Sequence, residues 1–353
     1  MNGTPAATLL AGTVISLVGL VWDAQWHDDV GPDTFFTLPH LFLYTGSALA
    51  GITSLVVVLA ATGAQRAGRP VDAAAGGPAV PVFGGTFAAP LGYLIAGAGA
   101  ASFLLYGLWD QWWHTLYGFD AVLESPPHVG LLLSISVTMV GSLVVLAAAA
   151  RRWWSTPALA LAAAVLLAFT TVTVLALGLL DVPLDAVAAG TAVLTVLVLT
   201  TVAVCVPRTG AAAATAVTLA VMQVLLWWFA PWASRVYADA IGLPLRDVVD
   251  GVPVIPALIP VAALAVGPVI DLLVRRHRRR GGRFDVPAAG ALGGLAIALA
   301  APVQQYLMEG SSGSSSGILV ATAAAAGGVG FVAGMLGQRL GAVLRGLAPE
   351  PGR

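Results

Sequence analysis

The chain has 353 residues, of which 58% are hydrophobic and only 9% charged, with a net charge of −1 and a mean hydropathy of +0.91. That is too little polar surface to cover a soluble globule of this length, so the composition reads as an integral membrane protein. The near-neutral charge leaves no electrostatic footprint for nucleic acid, and a single cysteine, Cys205, excludes an intrachain disulfide framework.

A helix needs about 20 apolar residues to cross the hydrocarbon core. Windows of that kind recur at 6–27, 38–61, 90–114, 128–150, 157–179, 185–206, 211–231, 252–275, 286–307 and 317–344. The fold class expected is therefore an all-α integral membrane protein of about ten transmembrane helices. The first window lacks a basic n-region and a cleavage site, so it is expected to be a retained helix rather than a signal peptide.

At the far end of the first window stands WDAQWHDDVGPDTFFTLPH, Trp22 to His40, with two histidines and four aspartates in nineteen positions. An Ala/Gly/Pro stretch at 62–89 follows the second window and reads as a solvated loop. The third and fourth windows then repeat the first pair. LVGLVWDAQWHDDVGPDTFFTLPHLFLYTG (17–46) matches LLYGLWDQWWHTLYGFDAVLESPPHVGLLL (104–133), each with a Trp-Asp, a His four residues after the Asp, an acidic loop and a Pro-His. Four of the five histidines occupy these repeated positions. Residues 1–150 thus read as a four-helix region of two repeated hairpins, and 151–353 as a six-helix region with no histidine in its spans.

In the second region, 229–251 reads as an outward connection with an interfacial helix. Gln223, Gln304 and Gln305 are expected to hydrogen-bond between helices. Asp271 is expected to pair with Arg275, and RRHRRRGGR (275–283) reads as a solvated loop holding His277. Gly330, Gly334, Gly337 and Gly341 give the GxxxG spacing of close helix packing. All sixteen basic residues are arginine, and most lie on one set of connections with the tail. The positive-inside rule makes that side cytoplasmic, so both termini are expected inside a multi-pass cell-membrane protein with the repeated motifs facing outward.

Residues four apart share a helix face, so Asp23 with His27, and Asp110 with His114, point at a common object. A short hairpin returns His40 or His128 to the same level. A carboxylate inside a span costs about 2.5–3.5 kcal/mol on insertion scales and calls for a partner, which a bound cation supplies. One carboxylate and two imidazoles with open positions suit Fe(II), Zn(II) or copper, and the ligand set alone does not choose. The tryptophans Trp22, Trp26, Trp109, Trp112 and Trp113 read as an interfacial belt. Asp28, Asp29, Asp120 and Glu124 read as a solvated acidic rim.

Over residues 15–135 these motifs resemble the C subunit of the copper membrane monooxygenases, the family of particulate methane and ammonia monooxygenases. Asp23, His27 and His40 resemble that subunit's Asp/His/His copper site, and Asp110, His114 and His128 its second site, in the same order and with similar gaps between histidines. Where the family typically has asparagine, this chain has Asp110. The resemblance implies copper at the first site, and copper, zinc or iron at the second. It also implies oxygen activation that hydroxylates a small membrane-soluble substrate or ammonia, partner monooxygenase subunits and a homo-oligomer in the bilayer. The alternative is a non-enzymatic membrane protein that captures, senses or stores copper or zinc.

Overall fold

The computed structural model describes residues 3–31, 33–118, 125–150, 152–247, 251–310 and 315–348. Its elements are α1 (Thr4–Asp29), α2 (Leu38–Arg66), β1 (Ala79–Val82), β2 (Phe87–Pro90), α3 (Leu91–Tyr117), α4 (Pro126–Ala148), α5 (Ser155–Thr173), α6 (Ala186–Cys205), α7 (Ala211–Ile241), α8 (Val254–Leu258), α9 (Ala263–Arg280), α10 (Asp285–Glu309) and α11 (Ser316–Gly346). Among the described residues nine helices are long and apolar enough to cross a membrane. The chain is an all-α, multi-pass membrane protein.

The chain divides into two compact units. The first comprises 1–158, 226–254 and 346–353, and the second 159–225 and 255–345. In the first, α1 packs on α2, α2 on α3 and α3 on α4. Small residues bring these backbones together: a Cβ on Gly12 would lie 2.8 Å from Gly46 O, and one on Gly99 would lie 2.6 Å from Thr138 N. The stretch at 62–89 is not a plain loop. It extends α2 to Arg66 and forms an antiparallel β1–β2 hairpin, with Ala79 opposite Pro90 and Ala88 N donating to Thr62 Oγ1 at 3.0 Å.

In the second unit the glycine spacing of α11 serves packing as expected. Gly330 and Gly334 meet Gly290 and Gly294 of α10, while Gly337 and Gly341 meet Thr200, Thr201 and Val204 of α6. Cys205 is buried, as a small packing residue should be. The window at 252–275 is not one helix. Pro260 has no N–H and clashes with a preceding helical turn, so α8 ends at Leu258 and α9 starts at Ala263. Backbone groups freed inside a membrane need partners, and two glutamines supply them. Gln223 Nε2 donates to Pro256 O (2.8 Å) and Ile259 O (3.1 Å). Gln304 Nε2 donates to Ala257 O (2.7 Å) and Ile259 O (2.9 Å), and its Oε1 accepts from Val261 N (2.9 Å). Gln305 instead donates to Glu309 one turn along α10.

Three further expectations are corrected. Asp271 shows no ion pair with Arg275 among the described residues. Its carboxylate accepts from Ala212 N (3.3 Å) and Ala213 N (2.8 Å), capping α7 where the helix dipole favours an anion. The basic segment is largely helix, so His277 sits half-buried at the end of α9 with its ring nitrogens 2.9 Å from Gly282 O and 3.1 Å from Gln338 Nε2. The helix anticipated within 229–251 is the C-terminal part of α7, which runs through Pro231 to Ile241.

Candidate metal centres

α1 ends at Asp29, and Val30 N and Gly31 N close its last turn on Trp26 O at 2.9 and 3.0 Å. Gly31 has φ +100, a conformation a side chain would strain. The chain then makes a tight turn stapled by hydroxyls: Thr34 N donates to Asp33 Oδ1 (2.7 Å) and to Thr37 Oγ1 (2.8 Å), while Thr37 Oγ1 donates to Thr34 O (2.8 Å). Pro39 in the first turn of α2 suits a position whose N–H needs no partner, and it places His40 at the helix mouth. The second hairpin opens α4 in the same way, with Pro126 and Pro127 ahead of His128 and Ser125 Oγ accepting from His128 N at 3.4 Å.

Both expected triads come together. His40 Nε2 lies 3.1 Å from Asp23 Oδ1, and His27 Nε2 lies 4.0 Å from Asp23 Oδ2. In the other hairpin Asp110 Oδ1 is 3.2 Å from His128 Nε2, and Asp110 Oδ2 is 3.4 Å from His114 Nε2. The first cluster has a fourth member outside the expected triad. Asp33 Oδ2 lies 3.3 Å from His27 Nε2 and 3.2 Å from His40 Nε2, so Asp23, His27, Asp33 and His40 each offer a donor atom to one point, as do Asp110, His114 and His128. A sequence signal for Asp33 exists: it stands ten residues after Asp23, and Asp120 stands ten residues after Asp110. Asp120 and Glu124 lie outside the described residues.

The ring orientations carry the chemistry. His40 Nδ1 is 3.0 Å from Thr34 O, and His114 Nδ1 is 2.9 Å from Gly118 O. A carbonyl only accepts, so each Nδ1 carries the proton and each Nε2 of the neutral ring turns a lone pair toward a carboxylate. Two acceptors about 3 Å apart repel unless a proton or a cation sits between them. Asp23 Oδ1 and Asp110 Oδ1 are both buried and face Nε2 of His40 and His128. Two donors each about 2.0–2.1 Å from a tetrahedral ion lie about 3.3–3.4 Å apart. The close contacts in both clusters, 3.1 to 3.4 Å, fit that geometry.

The clusters differ in exposure. The side chains of Asp110 and His114 are 11% and 7% exposed, whereas in the first cluster exposure rises from 5% at Asp33 to 38% at His27, its open side. Burial works against an ionised Asp33, but its hydrogen bond with His27 and the nearby His40 outweigh that and hold the carboxyl below the ordinary aspartate value.

Behind the first cluster the aromatic residues are not an interfacial belt. Trp22 and Trp26 are buried, with Trp22 packed edge-on against Phe42 (5.5 Å), Phe229 (6.0 Å) and Tyr237 (5.9 Å), and Trp26 against Tyr237 (4.8 Å). Trp109 and Trp112 are exposed. Asp29 is not part of a solvated rim either. It is buried, its Oδ1 accepts from Gln25 Nε2 (3.0 Å), and its backbone oxygen accepts from Arg246 N (2.8 Å). Phe229, Tyr237 and Arg246 therefore wall the first hairpin from behind, and Val254 N donates to Gln25 Oε1 at 3.2 Å. Tyr44 on α2 donates to Phe35 O (2.9 Å), and its ring lies 6.1 Å from His40 and 6.2 Å from Phe103 of α3.

Comparisons with family models, curated proteins and solved structures find no match to this chain.

Proposed function

We propose that this is a membrane-embedded metalloprotein with one metal site formed by Asp23, His27, Asp33 and His40 and a second that includes Asp110, His114 and His128. One observation carries the reading: in each cluster a buried carboxylate oxygen and two imidazole nitrogens converge, with the closest oxygen-to-Nε2 approach at 3.1–3.2 Å. Nitrogen and carboxylate donors without thiolate select a borderline divalent ion, with copper, zinc and iron the natural choices. The copper assignment follows from the resemblance of the two hairpins to the C subunit of the copper monooxygenases.

When bound, copper or iron supplies one-electron redox chemistry toward dioxygen, and in the oxygenase reading this hydroxylates a small membrane-soluble substrate such as a short hydrocarbon or ammonia. The chain's own part is narrower. The aspartates neutralise the ion, Thr34 O and Gly118 O fix the tautomers of His40 and His114, and Trp22 and Trp26 keep water from the back of the first site. Partner subunits and a homo-oligomer belong to the same reading. So does placement of both sites on the extracytoplasmic face, which rests on the arginine distribution.

A non-enzymatic, metal-holding role is favoured at the first site by one feature. That site offers four donors, the number a tetrahedral ion takes, and sites with a full donor set retain metal where catalytic sites keep a position open. Metal analysis of purified protein, paired with electron paramagnetic resonance, tests the whole proposal. One to two copper ions per chain are expected, and fewer in the His27→Ala/His40→Ala variant. Protein purified from copper-replete cells with no bound metal would sink it.

A further inference from the structure

The second unit contains a cavity of ≈ 250 Å³, walled by the first turn of α6 behind Asp185, the break between α8 and α9, and the C-terminal half of α10. From Ile297 to Glu309 the wall follows about 18 Å of α10, so the cavity runs from the helix end to mid-span. Irregular backbone at such depth is tolerated where it lines a water-accessible space, and the α8–α9 break does so. The volume equals that of about eight waters, the size of a small organic molecule.

The lining is asymmetric in charge. Asp185 and Glu309 are its charged members, joined by the amides of Gln304 and Gln305, and no arginine, lysine or histidine lines it. The adjacent 311–314 is Ser-Ser-Gly-Ser and adds no charge. Asp185 Oδ1 accepts from Ala188 N at 2.8 Å, and Glu309 Oε2 accepts from Gln305 Nε2 at 3.1 Å, but among the described residues neither carboxylate has a basic partner. An inorganic cation would want carbonyl oxygens beside the carboxylates. The carbonyls of Ala257 and Ile259 at the break are already taken by glutamine amides. Most of the remaining wall is alanine, valine, leucine, isoleucine and proline. Two carboxylates on the wall of a cavity that is otherwise mostly apolar match a cationic head on a short apolar body.

We propose that this cavity binds a small organic cation, a protonated or quaternary amine with a short aliphatic body. The inference is independent of the metal sites, whose residues all lie in the other unit.

Isothermal titration of the full chain in dodecyl maltoside, whose headgroup is uncharged, provides the test, with butylammonium and choline chlorides as probes. Saturable binding of either is expected, with none for butan-1-ol or butyrate. Glu309→Gln at the exposed helix end should weaken binding about tenfold. Asp185→Asn should do the same while keeping the α6 cap, because asparagine caps as well as aspartate, and circular dichroism confirms the fold of both variants. Added phosphatidylethanolamine distinguishes the sources of the ammonium group: competition with butylammonium marks a lipid headgroup as the occupant, and its absence marks a free amine. Equal binding of butan-1-ol, full competition by sodium or magnesium, unaltered affinity in both folded variants, or no saturable heat each overturns the proposal.

Discussion

His40 stands with one ring nitrogen 3.0 Å from Thr34 O and the other 3.1 Å from Asp23 Oδ1. In the neutral ring the first contact spends the only proton, so the second brings two acceptors face to face. His128 and Asp110 make the matching approach at 3.2 Å in the other hairpin. A proton or a bound cation between the two atoms resolves each juxtaposition.

Each hairpin should hold its metal separately. His27→Ala with His40→Ala should lower the metal content by one ion per chain, as should His114→Ala with His128→Ala, and the quadruple variant should carry none. Inductively coupled plasma mass spectrometry on protein normalised by amino-acid analysis reads the stoichiometry. Equal metal content in wild type and quadruple variant would show that the ions sit elsewhere.

Metal retention should fall in acid through the histidines. A ligating imidazole must be neutral, so affinity declines between about pH 8 and about pH 5 as protons compete for the rings. Asp33 should not contribute in that window, because its carboxyl is held below the ordinary aspartate range and is ionised throughout it. Its share is present above that range and lost only at still lower pH, as pH falls through the depressed value. Equilibrium dialysis against a competing chelator from pH 8 to about pH 5 should show the histidine-linked loss, and Asp33→Asn should weaken binding without moving the midpoint appreciably.

The close helix approach that aligns the first hairpin should not tolerate bulk. A Cβ at Gly12 would meet Gly46 O at 2.8 Å and Ala50 N at 3.2 Å. Gly12→Leu should therefore destabilise the chain by about 1–3 kcal/mol, as overpacking does. Gly63→Ala on the same helix pair meets nothing within 4 Å and should be neutral or slightly stabilising. Thermal unfolding followed by tryptophan fluorescence distinguishes the two.

The broken helix should depend on its glutamine. Gln304→Leu strips the partner from Val261 N and from Ala257 O, leaving unsatisfied groups that cost about 1–3 kcal/mol each when buried. Gln305→Leu loses only a bond within one helix turn at an exposed position and should cost much less. A comparison of unfolding midpoints in detergent checks the ordering.

The local features of this protein were legible from the residues alone. Hydropathy located the spans, because length and apolar content along the chain are all a bilayer requires of a helix. The spacing of Asp23 with His27 and of Asp110 with His114 put each pair on one face, since the helical repeat turns four residues into one turn. The matching order of the two hairpins singled out six of the seven residues that the structure clusters. Where partners are distant in sequence, tertiary structure decided. Asp33 joins the first cluster because Thr34 and Thr37 close the turn that aims it inward. Trp22, Trp26 and Asp29 are buried rather than interfacial because Phe229, Tyr237 and Arg246, some two hundred residues away, cover them. The eighth apolar window breaks because Gln223 and Gln304 on two other helices satisfy the backbone that Pro260 releases. Hydropathy and helical period act between neighbours along the chain. Burial of a charge and repair of a broken helix are settled by whatever the fold brings alongside.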